Sequence, residues 1–338
     1  MRPRITPMKS RSRQKPEIQS PHNDGDSLDD LCIVGAGVAG LSAAIFSARR
    51  GLSVLMLSTE IGGQTASTAE IENYPGLGKI EGPDLIARMA QEARAFGCVF
   101  QTDTIGVCQS IGGLTLEGAR GVYRCRAVII ATGKSQRRLG VPGEQELLGR
   151  GVFYAGALDL EPFRGRRCAV IGGGSSALDC AARLSSVASR VTLIHRRDRF
   201  GGEQILEERV RNARSVNIFL NTTVGAILGD ERVIGISVNT GSEENTLDVD
   251  AVVIAIGFEP RSSVYAAVVD CDEQGRIIID HSCTTSAEGI FAAGDCTTVP
   301  YQQIVISAGE GAKAALSAYR YLLEKDGKRS IRVDWGFV

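Results

Sequence analysis

The chain has 338 residues and a formal net charge of −1, and 43 % of its residues are hydrophobic and 23 % charged. These values are typical of a globular protein with room for two domains of ordinary size. The balanced charge predicts no nucleic-acid partner, and no apolar run of the sequence approaches the length of a membrane span.

The first 28 residues differ from the rest of the chain. The opening MRPRITPMKSRSRQK contains six Arg or Lys residues, no acid and little that a core would bury. A basic, polar segment of this kind predicts a disordered tail over residues 1–28, with a transit peptide as the alternative. A secretory signal is not predicted because the segment lacks an apolar centre.

The nine cysteines argue against a metal site or a redox turn. No two of them are separated by two residues and the chain has three His, so the spacing of a zinc site or a CxxC turn is missing. Cys32, Cys125 and Cys168 lie in apolar strand-like runs and Cys180 lies in a helical pattern, which predicts small buried hydrophobic side chains. Thiols that stay reduced indicate an intracellular, cytoplasmic protein.

The stretch LCIVGAGVAGLSAAIFSARRGLSVLML predicts a strand, a glycine turn, a helix and a second strand. Its glycines have G-x-G-x-x-G spacing, at Gly35, Gly37 and Gly40. In a dinucleotide site the first permits the tight turn, the second lets the backbone approach a pyrophosphate, and the third lets helix and strand pack closely. The N-terminus of the helix then offers N–H groups to the anion.

Two acidic residues predict that this first site holds FAD. Glu60, just after the second strand, suits the ribose hydroxyls of an adenosine that lacks a 2′-phosphate. Asp295 ends the short strand in GIFAAGDC, where a carboxylate can accept hydrogen bonds from ribityl hydroxyls. The stretch YQQIVISAGEGAKAALSAYRYL predicts a helix whose N-terminus supports negative charge on a reduced flavin.

The stretch RRCAVIGGGSSALDCAARLSSVASRVTLIHRRD repeats the whole pattern. Gly172, Gly174 and Ala177 match the G-x-G-x-x-A variant, so the chain has two predicted dinucleotide sites. Arg196 and Arg197 follow the second strand as a cationic pair that suits a ribose 2′-phosphate, which favours NADPH over NADH. A solvated surface pair is the alternative interpretation of these arginines.

From about Asp30 to Leu323 the chain resembles the low-molecular-weight, bacterial-type thioredoxin reductases. The resemblance rests on motifs in the expected order: GAGVAG, GGQTASTAEIENYPG, ATG, GVPGE, AVIGGGSSA, HRRD, AIGFEP, FAAGDC and SAGEG. It implies a homodimer with an α/β fold of two Rossmann-like, three-layer ββα dinucleotide-binding domains, the NADPH domain inserted in the FAD domain. The expected boundaries are a tail at 1–28, the FAD domain at 29–137 and 260–326, the NAD(P)H domain at 138–259, and a C-terminal tail at 327–338.

The resemblance also assigns residues to the two cofactors by motif match. Those expected on FAD, besides Glu60, are Gly35, Gly37, Gly40, Gln64, Asn73, Thr132, Asp295 and Gln303. Those expected on NADPH are Gly172, Gly174, Ala177, His195, Arg196 and Arg197. The family usually has a further arginine after HRRD, whereas this sequence has Gly201-Gly202 there and Arg199 upstream, so the preference for NADPH is expected to be imperfect.

The chain departs from the family just before the second glycine turn. There the family carries Cys-x-x-Cys-Asp, and this sequence reads Ala155-Gly156-Ala157-Leu158-Asp159. A dithiol passes electrons to a protein disulfide by thiol–disulfide exchange, which needs sulfur. We therefore expect electrons to pass from NADPH through FAD to an external acceptor: a quinone, a flavin, a ferredoxin-like protein or dioxygen.

The segment around this loop has predicted roles of its own. A cavity beside the flavin is expected, bounded by Phe153, Tyr154, Ala155 and Leu158. Asp159 is the candidate catalytic acid, with a turn or helix-capping role as the alternative. Domain rotation is expected to hinge near 139–140 and 257–258 and to gate access of the acceptor.

Other residues and functions stay open at this stage. Cys283 and Cys296 are candidates for a substitute redox pair, with packing as the alternative. Trp335 and Phe337 are expected over a flavin, a partner subunit or the protein's own surface. Two other functions fit the sequence: a pyridine-independent flavoprotein or disulfide oxidoreductase linked to ferredoxin or a thioredoxin-like protein, and a redox sensor that binds FAD and NADPH without turnover.

Overall fold

The computed structural model of the chain describes residues 28–109, 114–156 and 159–328. The strands, in chain order, are β1 (Asp29–Ala36), β2 (Val54–Ile61), β3 (Val99–Thr102), β4 (Ile105–Gln109), β5 (Leu114–Gly118), β6 (Val122–Ile130), β7 (Lys134–Gln136), β8 (Val152–Tyr154), β9 (Arg167–Ile171), β10 (Arg190–Ile194), β11 (Val216–Phe219), β12 (Thr222–Gly229), β13 (Val233–Thr240), β14 (Glu243–Asp248), β15 (Ala251–Ile254), β16 (Phe258–Pro260) and β17 (Ile290–Ala292). The α-helices are α1 (Val38–Ala48), α2 (Gly82–Ala95), α3 (Ser175–Leu184), α4 (Gln204–Asn212) and α5 (Ile304–Lys325), and the 3₁₀ helices are Gly63–Ser67, Glu161–Phe163 and Ser263–Tyr265.

The first sheet combines strands from both ends of the described chain. Its order is β3-β2-β1-β6-β5-β4, with β17 paired to β6. The strands β1, β2, β3, β6 and β17 run parallel, and Leu31 of β1 pairs with both Val54 and Ala127. Parallel strands are buried on both faces, which explains the continuous apolar runs at 31–34 of β1 and 127–130 of β6. Side chains of α1, α2 and α5 share one core with this sheet.

The second sheet forms entirely from the middle of the chain. Its order is β11-β10-β9-β15-β8, all parallel. Side chains of α3 pack on one face, and those of the antiparallel sheet β12-β13-β14 pack on the other. The predicted α/β class with two Rossmann-like units is confirmed, and the ββα layering is clear in this second unit.

The chain passes between the two sheets through a two-stranded ribbon. Strand β7 leads from the first sheet toward the second, β16 leads back, and the two pair antiparallel, with Lys134 opposite Pro260 and Gln136 opposite Phe258. The predicted hinge positions lie next to this ribbon: 139–140 follows β7, and 257–258 is at the start of β16.

One arginine joins the two ends of the described chain. The Arg126 guanidinium lies 2.9 Å from the Asp30 carboxylate in β1 and also pairs with Asp326, which follows the last residue of α5. A single side chain of β6 therefore anchors both the first strand and the end of the last helix.

Four cysteines have the burial that their sequence context predicts. Cys32 and Cys168 are fully buried, and Cys125 and Cys180 are 3 % and 6 % exposed, so the prediction of buried hydrophobic side chains is confirmed. No disulfide joins the cysteines whose side chains the structure describes.

Within residues 28–328, less the two gaps, no helix combines the length and apolar character needed to cross a bilayer. The same residues form no group of three or more His, Cys, Asp or Glu side chains suited to a metal ion. The predicted basic tail up to residue 27, Leu158, and the segment that contains Trp335 and Phe337 lie outside the described residues.

Candidate functional site

The first glycine turn has the three roles that its spacing predicts. Gly35 has φ +103°, and a Cβ there would lie 2.4 Å from the Ala131 carbonyl oxygen. A Cβ on Gly40 would lie 1.8 Å from the Gly35 carbonyl oxygen, so helix and turn touch at this point. Gly37 begins α1 as its N-cap, and a Cβ there would meet nothing within 4 Å. The open space beside Gly37 and the free N–H groups of α1 suit a pyrophosphate.

The second glycine turn repeats this geometry. Gly172 has φ +146°, and a Cβ there would lie 2.2 Å from the Ala255 carbonyl oxygen and 3.0 Å from the Ala177 Cβ. Ala177 is fully buried, so its methyl group is the packing surface of the turn. Gly174 is the N-cap of α3 and faces open space. The chain thus has two glycine turns with the same geometry, and each turn with the helix N-terminus beside it is called a cradle below.

A large cavity runs along the whole of β3, at the edge of the first sheet, and reaches the carboxyl ends of β1 and β2. It has a volume of about 580 Å³ and is lined by Ser58, Thr59 and Glu60 together with Arg94 and Phe100. Glu60 is exposed, and the Arg261 guanidinium lies 3.9 Å from its carboxylate. Ligands of open α/β sheets bind at the carboxyl ends of parallel strands, so this cavity suits the adenosine half of a dinucleotide.

A second group of predicted FAD residues surrounds the N-terminus of α5, and this region is called the flavin cleft below. The Asp295 carboxylate accepts a hydrogen bond of 3.2 Å from the Ser307 hydroxyl. Gln303 is the N-cap of α5, and its side-chain oxygen accepts a hydrogen bond of 3.2 Å from the Asn73 amide. The structure therefore brings Asp295, Gln303 and Asn73 together from segments far apart in the chain.

The remaining residues of this cleft join the ATG turn to its neighbours. The Thr132 hydroxyl donates a hydrogen bond of 2.5 Å to the Arg261 carbonyl oxygen. The Gln64 amide donates one of 2.9 Å to the Lys134 carbonyl oxygen. Lys134 was not singled out from the sequence, although its ammonium lies 2.9 Å from the Asp295 carboxylate and 2.6 Å from the Gln302 side-chain oxygen. Its position directly after the ATG turn is the signal that could have identified it.

The other three predicted NADPH residues, His195, Arg196 and Arg197, directly follow β10. The His195 ring lies against the second glycine turn, where a Cβ on Gly173 would be 2.4 Å from it, and burial lowers the pKa of this imidazole. Arg196 and Arg197 are exposed beside the turn. The Gly201 N–H donates a hydrogen bond of 2.8 Å to the Gly173 carbonyl oxygen, which places the 201–202 loop against the same cradle.

A smaller cavity, called the loop cavity below, lies beside Ala155 and Gly156. Its volume is about 180 Å³, and its walls include Ala155, Gly156, Gln136, Asp179, Arg183 and Phe258. The Ala155 N–H donates a hydrogen bond to the Ile254 carbonyl oxygen at 2.8 Å, and the Gln136 amide donates one to the Ala155 carbonyl oxygen at 2.7 Å. The first contact ties the loop to β15 of the second sheet, and the second ties it to β7 of the β7–β16 ribbon.

Two residues expected to bound this cavity lie elsewhere. The Phe153 ring packs edge-on against Phe163, with ring centroids 4.9 Å apart, in the core between α3 and the sheet. The Tyr154 hydroxyl donates a hydrogen bond of 2.7 Å to Glu144. Successive side chains of a strand point to opposite faces, and both faces of β8 are covered, so neither ring reaches the cavity. The expectation for Phe153 and Tyr154 was wrong.

One cysteine does contribute to the wall of the cavity. Cys180, in α3, is among the lining residues. Burial raises the pKa of its thiol to about 12, so it carries almost no thiolate at neutral pH.

Asp159, the candidate catalytic acid, makes a turn contact. Its carboxylate accepts a hydrogen bond of 3.1 Å from the Glu161 N–H, at the start of the 3₁₀ helix Glu161–Phe163. The side chain is exposed, and Asp159 is not among the residues that line the cavity. The contact is the one that the alternative turn role would produce.

The two other cysteines of interest lie in separate cores. Cys283 packs in the core of α1, α2 and α5, and its sulfur lies 3.1 Å from the Glu310 carboxylate. Cys296 packs on the opposite face of the first sheet, and its sulfur lies 3.7 Å from the Ile130 carbonyl oxygen. Both are fully buried, and burial raises the pKa of each thiol.

The pyridine nucleotide-disulphide oxidoreductase family model matches residues 29–312, which span both glycine cradles. The chain belongs to this family. The bifunctional thioredoxin reductase/thioredoxin of Mycobacterium leprae is 41 % identical over 316 residues, which cover 90 % of this chain and 68 % of that protein. The thioredoxin reductase of Listeria innocua is 38 % identical over 305 residues, covering 88 % of this chain and 95 % of that protein.

Solved structures of thioredoxin reductases match most of the chain. The thioredoxin reductase of Lactococcus lactis, in its FR conformation, gives a TM-score of 0.74 at 32 % identity and covers 88 % of this chain and 99 % of its own. The ferredoxin-flavin thioredoxin reductase of Clostridium acetobutylicum gives a TM-score of 0.50 at 27 % identity, covering 89 % of this chain and 100 % of its own. The chain is therefore a thioredoxin reductase-like flavoprotein oxidoreductase.

Proposed function

We propose that this chain is a flavoprotein oxidoreductase that passes electrons from NADPH through FAD to an external acceptor without a cysteine pair. The observation that carries the proposal is the loop Ala155-Gly156-Ala157-Leu158, which has no sulfur at the two positions where the resembling reductases carry it. Thiol–disulfide exchange requires a thiolate nucleophile, and Ala and Leu side chains supply none.

The three described cysteines considered as substitutes, Cys180, Cys283 and Cys296, give no support to a substitute redox pair. Cys180 is the cysteine in the wall of the loop cavity, and its buried thiol has a pKa near 12. Cys283 and Cys296 lie on opposite faces of the first sheet. Because reactive cysteines need thiolate character and access, these environments favour packing roles.

The residues of the two cradles fit FAD and NADPH. Gly37 and the N-terminus of α1 would hold the FAD pyrophosphate, and Asp295 and Gln303 would hold its flavin half. Gly174 and the arginines after β10 would hold the phosphates of NADPH. When bound, the flavin supplies the capacity to take a hydride from the nicotinamide and release its electrons singly or in pairs.

The cavity beside Ala155 is the proposed point of electron exit. Its apolar walls, which include Ala155 and Phe258, and its polar Gln136 and Arg183 suit a small planar group such as a quinone ring, and a flavin would take electrons at its mouth. A ferredoxin-like protein or dioxygen would receive electrons at the same face. We further propose that Asp159 keeps a turn-forming role and that the active form is a homodimer, as is typical of the family.

A ferredoxin-linked reductase is a second candidate. The C. acetobutylicum structure is named for ferredoxin and flavin and shares the fold over 89 % of this chain. In that case electrons would enter from reduced ferredoxin, and a thioredoxin-like protein would be a possible partner. The exposed arginine pair after β10, which suits the 2′-phosphate of NADPH, favours the first candidate.

An anaerobic titration tests the proposal. NADPH is added to the FAD-loaded protein without oxygen while the flavin absorbance is followed, and the reduced protein is then mixed with a quinone, free flavin or ferredoxin. Prompt bleaching by NADPH followed by reoxidation supports the proposal. Bleaching by reduced ferredoxin alone favours the second candidate, and slow bleaching by every donor favours a redox sensor without turnover.

Cysteine variants complete the test. Cys180→Ala, Cys283→Ala and Cys296→Ala should all retain turnover with the acceptor found. Cys125→Ala is the matched control. Cys125 is similarly buried, but it pairs with Asp29 at the amino end of β1, at the opposite end of the strands from the proposed cofactor sites. A loss of turnover in one of the three variants that exceeds the loss in the control would contradict a mechanism without cysteines.

A further inference from the structure

Lys134 stands out as a charged side chain that the proposed function does not use. It begins β7, directly after the ATG turn, and its side chain is 15 % exposed. A lysine is rarely buried to this extent unless it is paired. The ammonium is paired: it lies 2.9 Å from the Asp295 carboxylate and 2.6 Å from the Gln302 side-chain oxygen.

The same residue connects the other parts of the cleft. Its carbonyl oxygen accepts the Gln64 amide at 2.9 Å, so Lys134 contacts two of the residues expected on FAD. Its ammonium lies over the Phe258 ring, 5.0 Å from the centroid. Phe258 is in β16 and also lines the loop cavity. Lys134 is therefore a residue of the β7–β16 ribbon whose side chain contacts the cleft.

The surroundings of the Lys134 ammonium strengthen its electrostatic interaction with neighbouring charges. A charge with little solvent around it interacts with its neighbours through a lower effective dielectric than a surface charge does. The face of an aromatic ring favours a cation and holds it away from water. Within the described residues, the charged groups in contact with one another here are Lys134 and Asp295, so the pair is neutral as it stands.

Flavin reduction changes that charge balance. Taking up a hydride adds two electrons and one proton to a neutral ring system, while the nicotinamide that gives the hydride gains one positive charge. The flavin therefore gains one negative charge, and the cleft at the N-terminus of α5 becomes net negative. A fixed cation in contact with Asp295 and Gln302 lowers the free energy of that state.

We propose that Lys134 is a positioning residue of the flavin cleft, which orients Asp295 and compensates the negative charge that a bound flavin gains on reduction. The inference rests on the proposed binding of FAD. A purely structural role is the competing explanation, in which Lys134 only ties β7 to the segment before α5. The two roles differ in one measurable consequence. Loss of a purely structural contact lowers the free energy of unfolding, whereas loss of the compensating charge lowers the reduction potential of the bound flavin.

The test measures that potential in FAD-loaded protein. Lys134→Met removes the charge and keeps the length of the side chain, and Lys134→Arg keeps the charge. Lys325→Met is the matched control, because Lys325 also pairs with a carboxylate (Glu288, 2.6 Å) and lies over a ring (Tyr321, 5.5 Å). Lys325 ends α5, about 32 Å from the cleft at 1.5 Å per residue. Each protein is equilibrated with a reference dye during slow anaerobic reduction, and bound FAD is quantified from the fluorescence of released flavin.

We expect Lys134→Met to lower the ratio of reduced to oxidised flavin at least tenfold at a fixed solution potential, a shift of about 30 mV for a two-electron couple. Lys134→Arg and Lys325→Met should stay close to the wild type. Should Lys134→Met fail to retain FAD, Lys134→Gln, which keeps a hydrogen-bond donor near Asp295, serves the same measurement.

Three results would overturn parts of this scheme in distinguishable ways. An unchanged potential in charge-free variants that hold FAD would contradict the role of Lys134 and leave the proposed function intact. An equal fall in Lys134→Arg and Lys134→Met would show that shape rather than charge is responsible, which also contradicts it. A wild-type protein that holds no FAD would contradict the proposed function itself.

Discussion

The Tyr154 hydroxyl donates a hydrogen bond of 2.7 Å to the Glu144 carboxylate, which is 2 % exposed. The same carboxylate accepts the backbone N–H groups of Leu139 at 2.9 Å and Gly140 at 2.7 Å. One buried side chain thus fastens the segment that enters the second sheet to β8. Burial, followed by the hydrogen bond to Glu144, raises the pKa of Tyr154 to about 12.

This contact predicts the effect of Glu144→Gln. The amide can accept from fewer donors and offers an N–H where an acceptor is needed, so buried donors lose partners. We expect the free energy of unfolding to fall by about 1–3 kcal/mol. Urea denaturation measures it, with Glu146→Gln on the exposed neighbouring position as control. Equal effects of the two substitutions would contradict the structural role given to Glu144.

The glycines of the first cradle predict two different outcomes for the same substitution. Gly35→Ala should destabilise the fold, because its Cβ would lie 2.4 Å from a carbonyl oxygen and its φ is +103°. Gly37→Ala should unfold like the wild type, because its Cβ meets nothing within 4 Å, yet it should bind FAD at least tenfold more weakly. Thermal unfolding of the apoprotein and FAD titration measure the two effects. Normal FAD affinity in Gly37→Ala would place the pyrophosphate elsewhere.

The arginine pair after β10 predicts the nucleotide preference. Charge-assisted hydrogen bonds contribute about 1.5–3 kcal/mol each, so replacing both Arg196 and Arg197 by Ala should weaken NADPH binding at least tenfold. NADH binding should change little, because NADH has no 2′-phosphate. Arg209→Ala, at an exposed position of α4, controls for the loss of surface charge. A parallel loss for both nucleotides would favour the solvated-surface interpretation of the pair.

The ion pair between Arg167 and Asp250 predicts a pH dependence of stability. Hydrogen bonds from the Arg167 guanidinium, the nearest at 2.7 Å, lower the pKa of Asp250 from 3.8 to about 2. A lowered pKa in the folded state gives a stabilisation that is complete above the unfolded value and disappears as the pH falls through the folded value. The difference between wild type and Arg167→Gln should therefore shrink between pH 3.8 and about 2.

The magnitude of that effect is modest, because both side chains are more than one-third exposed and solvent screens the pair. We expect at most about 1 kcal/mol at neutral pH. Urea denaturation across the pH range measures it, and a double-mutant cycle with Asp250→Asn isolates the pair. A difference that stays constant down to the lowest pH would contradict the assignment.

Local patterns predicted the fold well where short-range geometry decides it. Both glycine turns, the apolar strands that flank them and the burial of Cys32, Cys125, Cys168 and Cys180 follow from spacing and from parallel sheets being covered on both faces. Gly51, three residues after α1 ends at Ala48, has φ +79°, in the left-handed region that favours glycine.

The parts that the sequence did not predict depend on contacts between distant segments. Lys134 meets Asp295, 161 residues further along the chain by their numbering, and no local period encodes that distance. Phe153 and Tyr154 were expected at the cavity because the sequence of β8, an edge strand, does not reveal whether one or both of its faces are covered by other segments. Here Phe163 and Glu144 cover the two faces of β8 and take both rings away from the cavity.

The clamp that Arg126 forms with Asp30 and Asp326 has a practical consequence for experiments. Residues 28 and 328, the first and last described, each lie two residues from an aspartate of this clamp. An affinity tag or fluorescent reporter joined directly at either residue therefore begins at this corner. Helix α5 spans 22 residues, about 33 Å, between this corner and Gln303 at the flavin cleft. A label joined at residue 328 starts about one length of α5 away from the proposed flavin cleft, so the measurements above are compatible with it.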